Sequence, residues 1–184
     1  MTILDQGWIL ARPELPNMVL GVEVPPETRT RKEEYSFVVE TLAQEKGATV
    51  CDLATGYVQN WHLLALILAR AGWQVIASDK NPGVMLLPKH DRVTYLIADA
   101  CDTGLPSETF DVVTCISTLE HCTREETRKI AAEMKRLVKP GGLLIATADL
   151  SPWLPVLFGG TCQPSEVPEG SVFPPVYYVV ARAT

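Results

Sequence analysis

The chain has 184 residues, 47% of them hydrophobic and 21% charged, and a net charge of −6. That balance suits one globular domain with a proper core and excludes a disordered chain. With no run of Lys and Arg it speaks against a protein built to neutralise many phosphates, and so against a nucleic-acid partner.

The longest apolar stretch, 63–69, ends at Arg70 and Gly72. A membrane span needs roughly 20 apolar residues, so none is expected. The opening MTILDQGWILARPE lacks the basic start and apolar segment of a secretory leader. Cys51, Cys101, Cys115, Cys122 and Cys162 are scattered without a Cys-x-x-Cys pair, which points to a reducing compartment and a cytoplasmic protein. The three histidines are far apart and no metal site is expected.

In chain order, residues 1–29 carry several prolines and no clear period. Thr30-Arg31-Lys32-Glu33 reads as a capping box, with the Thr30 hydroxyl accepting from the Glu33 N–H while the Glu33 carboxylate reaches back. Tyr35, Val38, Val39 and Leu42 then make one apolar stripe, and Gly47 closes the helix. A strand follows over Thr49–Leu53. Asn60 is placed to cap a helix over Trp61–Ala71 that is apolar nearly all round. Strands are expected over Gln74–Ser78, Val93–Ala98 and Asp111–Ile116.

A second capping box, Thr123 to Glu126, opens a helix carrying Ile130, Met134, Leu137 and Val138 on one face. Pro140-Gly141-Gly142 reads as a turn into a strand over Leu143–Ala148. Residues 149–175 hold six prolines and a scatter of large apolar side chains, and a last strand covers Val176–Ala181. The nearly continuous hydrophobicity of the strands indicates burial on both faces. Their alternation with helices predicts a Rossmann-like, doubly wound, mostly parallel sheet between helical layers, a three-layer α/β/α domain over 1–184.

In such a sheet, ligands sit beyond the carboxyl ends of the strands where the strand order reverses. The residues found there are Asp52-Leu53-Ala54-Thr55-Gly56-Tyr57 after the first strand, Asp79 after the second, Asp99-Ala100 after the third and Ser117-Thr118-Leu119-Glu120-His121 after the fourth. Small residues in the first loop let a backbone approach a ligand closely. Three acids at successive strand ends suit a ligand offering hydroxyls, an amine and a cationic centre; they suit a polyphosphate poorly. Each acid taken singly also fits a cap or a turn.

The stretches ATVCDLATGY, QVIASDKNP, VTYLIADACDTGLPSETFDVV, CISTLEHC and RLVKPGGLLIAT, in that order, resemble the class I S-adenosylmethionine-dependent methyltransferases of the small-molecule branch, over roughly Thr30 to Leu150. The resemblance implies methyl transfer from S-adenosylmethionine to a small-molecule acceptor, and a C-terminal strand running antiparallel to the rest. By the same resemblance, Asp52, Ala54, Thr55 and Gly56 shape the loop under the methionine part, Asp79 holds the ribose hydroxyls, Asp99 and Ala100 meet the adenine, and Ser117 presents backbone to the amino-acid moiety. The family's Gly-x-Gly-x-Gly is here Ala54, Gly56 and Val58, and the stretch from Gly56 to Gly72 is longer than is usual.

Glu120 and His121 border the acceptor side in that family. His121 is a candidate base, since imidazole titrates near neutral pH, and both residues could equally fix the loop ahead of the capped helix. His62 reads as an ordinary helix-start residue. Trp153, in the proline-rich segment after the fifth core strand, is the candidate acceptor-pocket wall, with residues 1–29 or a second copy of the chain completing it. Two other readings stay open, a cofactor-binding relative without turnover and a nicotinamide-dependent oxidoreductase. Against the latter, the Gly-x-Gly-x-x-Gly loop is missing and an acid precedes the first loop.

Overall fold

A computed structural model describes residues 18–19, 22–23, 29–58, 62–149, 154–159, 161–164 and 176–183. A two-residue hairpin, β1 (Met18–Val19) with β2 (Val22–Glu23), precedes α1 (Arg29–Leu42). The core then runs β3 (Thr49–Leu53), α2 (Leu64–Arg70), β4 (Gln74–Asp79), β5 (Val93–Ile97), β6 (Phe110–Ile116), α3 (Arg124–Leu137) and β7 (Val138–Asp149). A short α4 (Leu154–Phe158), β8 (Thr161–Pro164) and β9 (Val176–Arg182) complete it.

Seven strands form one sheet in the order β5-β4-β3-β6-β7-β9-β8. All neighbours from β5 to β7 are parallel, and β9 runs antiparallel to both β7 and β8. Alternate residues of each strand serve opposite faces. Val50, Val75, Ala77, Val112 and Ile145 pack under Val38, Val39 and Leu42 of α1 and Ile67 and Leu68 of α2. Cys51, Leu53, Val113, Cys115, Leu144 and Ala146 meet Ile130, Met134 and Leu137 of α3 and Phe158 of α4. This is the doubly wound, three-layer arrangement that the strand–helix alternation predicts. Among the described residues, no helix is long and apolar enough to cross a membrane.

Several local expectations are corrected. Helix α1 already contains Arg29 and Thr30, so Thr30 is not its cap; a helix held by a buried face does not depend on one local hydrogen bond. Gly47 does not close α1, which ends at Leu42. A Cβ on Gly47 would lie 2.8 Å from the Trp73 ring, so the glycine is there for close packing. Helix α2 starts at Leu64, with Leu63 in the cap position and no side-chain cap; Asn60 and Trp61 lie outside the described residues.

Strand β5 is the sheet edge, with residues 98–109 forming no helix over it. Ile97 is accordingly 51% exposed, where burial on both faces was expected. Residues 139–142 do not break the chain into a turn. They form a bulge inside β7, where pairing jumps from Phe110–Val138 to Val112–Leu143 and Gly141 takes φ +76°. The capping box at Thr123 is present in both directions, with the Thr123 N–H donating to Glu126 at 2.8 Å.

The N-terminal hairpin, α4 and β8 fall in segments read as irregular. In β8 the four residues pair Thr161–Val180 through Pro164–Tyr177 at the sheet's far edge, where a proline's missing N–H is tolerated.

Candidate active site at the strand carboxyl ends

The strand order reverses between β3 and β6, and the loops that leave these two strands face each other there. Asp52, the fourth residue of β3, is 1% exposed and lies below the first loop rather than in it. Its carboxylate accepts from the hydroxyl of Thr55 at 2.5 Å and from that of Thr114, on β6, at 2.6 Å. Burial pushes its pKa up to about 6, partly opposed by those two hydroxyls. Asp52 therefore fastens the loop to the sheet from below.

The loop itself turns through two left-handed residues, Ala54 at φ +51° and Gly56 at φ +85°. For alanine this conformation costs roughly 1–2 kcal/mol, which the surrounding hydrogen bonds must offset. The Thr55 N–H donates to the Ser78 carbonyl at 2.8 Å, and the Gly56 N–H to Asp79 Oδ2 at 2.9 Å. Asp79 Oδ1 accepts in turn from the Asn81 N–H at 2.8 Å. Asp79, at the end of β4, thus bridges two strand-end loops. A carboxylate has about four lone-pair sites, so each Asp79 oxygen keeps room for a hydroxyl donor.

His62, by its position an ordinary helix-start residue, fastens the first loop. Its Nδ1 accepts from the Val58 N–H at 2.9 Å, its backbone N–H donates to the Val58 carbonyl at 3.0 Å, and its ring covers Gly56. A Cβ on Gly56 would lie 2.2 Å from that ring. Burial lowers the His62 pKa and favours the neutral imidazole that can accept at Nδ1. The lengthened stretch after Gly56 thereby closes back on the loop. Only the extra length hinted at this in the sequence.

On the β5 side, Asp99 is exposed and its Oδ1 accepts from the Cys101 N–H at 2.8 Å, while Ala100 is buried. Across the reversal, Ser117 follows β6 at φ +45°. The next residue, Thr118, donates its hydroxyl to the Ile116 carbonyl at 3.2 Å and reaches the Ala54 carbonyl at 3.5 Å. Asp52, Thr55, Gly56 and Asp79 therefore form one connected bracket, with Ala54 in the same loop and Thr118, the residue after Ser117, reaching the Ala54 carbonyl. Asp99 and Ala100 stand apart on the neighbouring strand end.

Glu120 is half-buried, and its Oε2 is buried with no hydrogen-bond partner among the described residues. Burial raises its pKa. His121 is exposed, and its backbone N–H closes the turn on Thr118. Trp153 lies outside the described residues.

Two residues beneath this site were not singled out from the sequence. Glu34 of α1 is fully buried and accepts from the hydroxyls of Ser117 and Thr147. Arg31 pairs with Glu34 at 3.0 Å and is 20% exposed. Its charge is felt at Asp52 and at Glu120. A signal was available, because Glu34 steps by four residues to Val38 and by eight to Leu42, on the apolar stripe.

Acids, left-handed small residues and a single half-buried guanidinium suit an aminoacyl nucleoside with a cationic centre better than a polyphosphate. Among the described residues no cluster of His, Cys, Asp and Glu could hold a metal ion.

The described geometry agrees with comparison to known proteins. The chain is 30% identical over 124 residues to the demethylmenaquinone methyltransferase of Clavibacter sepedonicus, a match spanning 65% of this chain and 48% of that protein. It thus spans about half the length of the curated relatives it matches. A Burkholderia thailandensis 1,6-didemethyltoxoflavin-N1-methyltransferase, solved with 1,6-didemethyltoxoflavin and S-adenosylhomocysteine, superposes with a TM-score of 0.68 at 16% identity, over 86% of this chain and 80% of that one. A Pyrococcus horikoshii protein superposes with a TM-score of 0.68 at 18% identity, over 97% and 99% of the two chains. At such identities these two structures establish the fold alone. The methyltransferase domain family matches residues 51–146, the stretch that carries β3 through most of β7, and the chain belongs to the class I S-adenosylmethionine-dependent methyltransferase family.

Proposed function

We propose that this chain binds S-adenosylmethionine at the β3–β6 reversal and transfers its methyl group to a small-molecule acceptor. The observation that carries the reading is Asp79. It sits at the end of β4, it is bound by two backbone N–H groups, and it retains acceptor capacity on both oxygens. In this reading Asp79 takes the ribose hydroxyls, Asp99 and Ala100 meet the adenine, and the backbone at Ala54, Thr55, Gly56 and Ser117 lines the amino-acid moiety.

The sulfonium supplies an already activated methyl group, so the protein's part is binding and alignment. Asp52 and Thr55 keep the loop in one conformation, and the neutral His62 covers its far side. In this reading Glu120, whose buried Oε2 has no hydrogen-bond partner among the described residues, meets the acceptor; His121, exposed, is the second candidate there. Demethylmenaquinone is the acceptor to assay first, because the matched relatives carry that name.

Calorimetric titration with S-adenosylhomocysteine tests the reading. Wild type binds, and Asp79→Asn, deprived of a charged acceptor, loses roughly 1.5–3 kcal/mol, about tenfold or more in affinity. Absence of binding by wild type at millimolar concentration, or equal affinity in Asp79→Asn, would overturn it.

A further inference from the structure

Glu34 belongs to α1, outside the strand-end loops, yet its carboxylate reaches the reversal point. One oxygen accepts from both the Ser117 and the Thr147 hydroxyls, and the other pairs with Arg31 at 3.0 Å. The Ser117 N–H donates to Thr147 as well, to its carbonyl at 3.1 Å and to its hydroxyl oxygen at 3.0 Å. Backbone and side chain of Ser117 are thus tied to one buried carboxylate, directly and through Thr147. Ser117 sits in the left-handed region, at φ +45°, which a serine leaves readily unless held.

A buried carboxylate is an expensive way to attach a helix to a sheet, because an apolar side chain does so without desolvating a charge. Helix α1 already has Val38, Val39 and Leu42 for that purpose. What Glu34 adds is a fixed position for one residue of the opposite loop. We infer that Glu34 is a positioning residue for the cofactor site: through Ser117 and Thr147 it holds the loop after β6 in the conformation that faces the loop after β3. The inference rests on the cofactor reading above.

The test is S-adenosylhomocysteine affinity, measured well below each variant's melting temperature, for Glu34→Gln, Glu34→Ala, Ser117→Ala and the Glu34→Ala/Ser117→Ala pair. Glu34→Ala and Ser117→Ala should each weaken binding about tenfold, and the pair little more than either, since both remove the same tie. Glu34→Gln keeps an oxygen for the two hydroxyls and should stay within about threefold of wild type. Amide exchange at 117–119 should speed up in Glu34→Ala without any ligand. Should Glu34→Ala fail to fold, Thr147→Val replaces it in the cycle.

Variants that melt lower yet bind with wild-type affinity would make Glu34 a brace for α1 and end the inference, as would additive losses in the pair. Wild type that fails to bind refutes the cofactor reading and this role together. Wild type that binds while the variants are unaffected refutes the role of Glu34 alone.

Discussion

Replacing Asp52 by Asn gives a quantitative test of how the first loop is held. Asp52 is 1% exposed, and burial raises its pKa from 3.8 to about 6. At 1.36 kcal/mol per pH unit, that rise corresponds to about 3 kcal/mol. The folded protein holds this proton more tightly than the unfolded chain. The contribution is therefore complete below about pH 4 and is lost as pH rises to about 6, after which it is level.

Asp52→Asn keeps the shape of the side chain and carries no charge at any pH, so it lacks this slope. Urea unfolding of both proteins from about pH 4 to pH 7.5 should show wild type losing about 2.5 kcal/mol relative to the variant, mostly between pH 4 and 6.5. Glu34 and Glu120, whose pKa values are also raised by burial, are present in both proteins and cancel in the difference. Profiles that stay parallel within about 0.5 kcal/mol would show that Thr55 and Thr114 fully compensate the buried charge, and would refute the argument.

Two further expectations concern particular positions. Gly56→Ala puts a Cβ 2.2 Å from the His62 ring at φ +85°, so it should lower stability by about 2 kcal/mol or more and weaken S-adenosylhomocysteine binding over tenfold; a thermal melt and a titration at wild-type values would contradict the loop geometry. Thr123→Ala removes the hydroxyl half of a formed capping box, leaving the backbone N–H of residue 123 on Glu126, and should cost about 1 kcal/mol in urea unfolding with cofactor affinity unchanged.

The parallel core was legible in the residues because its signals are local. Short, nearly continuous apolar runs rich in β-branched residues at Thr49–Leu53 and Gln74–Asp79 favour buried strands, and the acids and small residues at their ends are visible without any knowledge of neighbours. The Thr123 box is likewise contained in four consecutive residues. The failures are non-local. β8 exists because β9 offers it an edge to pair with, not because Thr161–Pro164 prefers extension. Helix α2 begins at Leu64 rather than Trp61 because the chain first folds His62 back onto Gly56. Glu34 falls on the apolar stripe of α1 with Val38 and Leu42, which marks it for burial, but only the docking of α1 puts it within reach of residues 83 and 113 positions away. Composition and period therefore determined the layers, the strand direction of the core and which loops lie at its carboxyl ends. Which side chains fasten those loops was decided in three dimensions, because a hydrogen bond depends on distance and direction, and neither is written in the local order of residues.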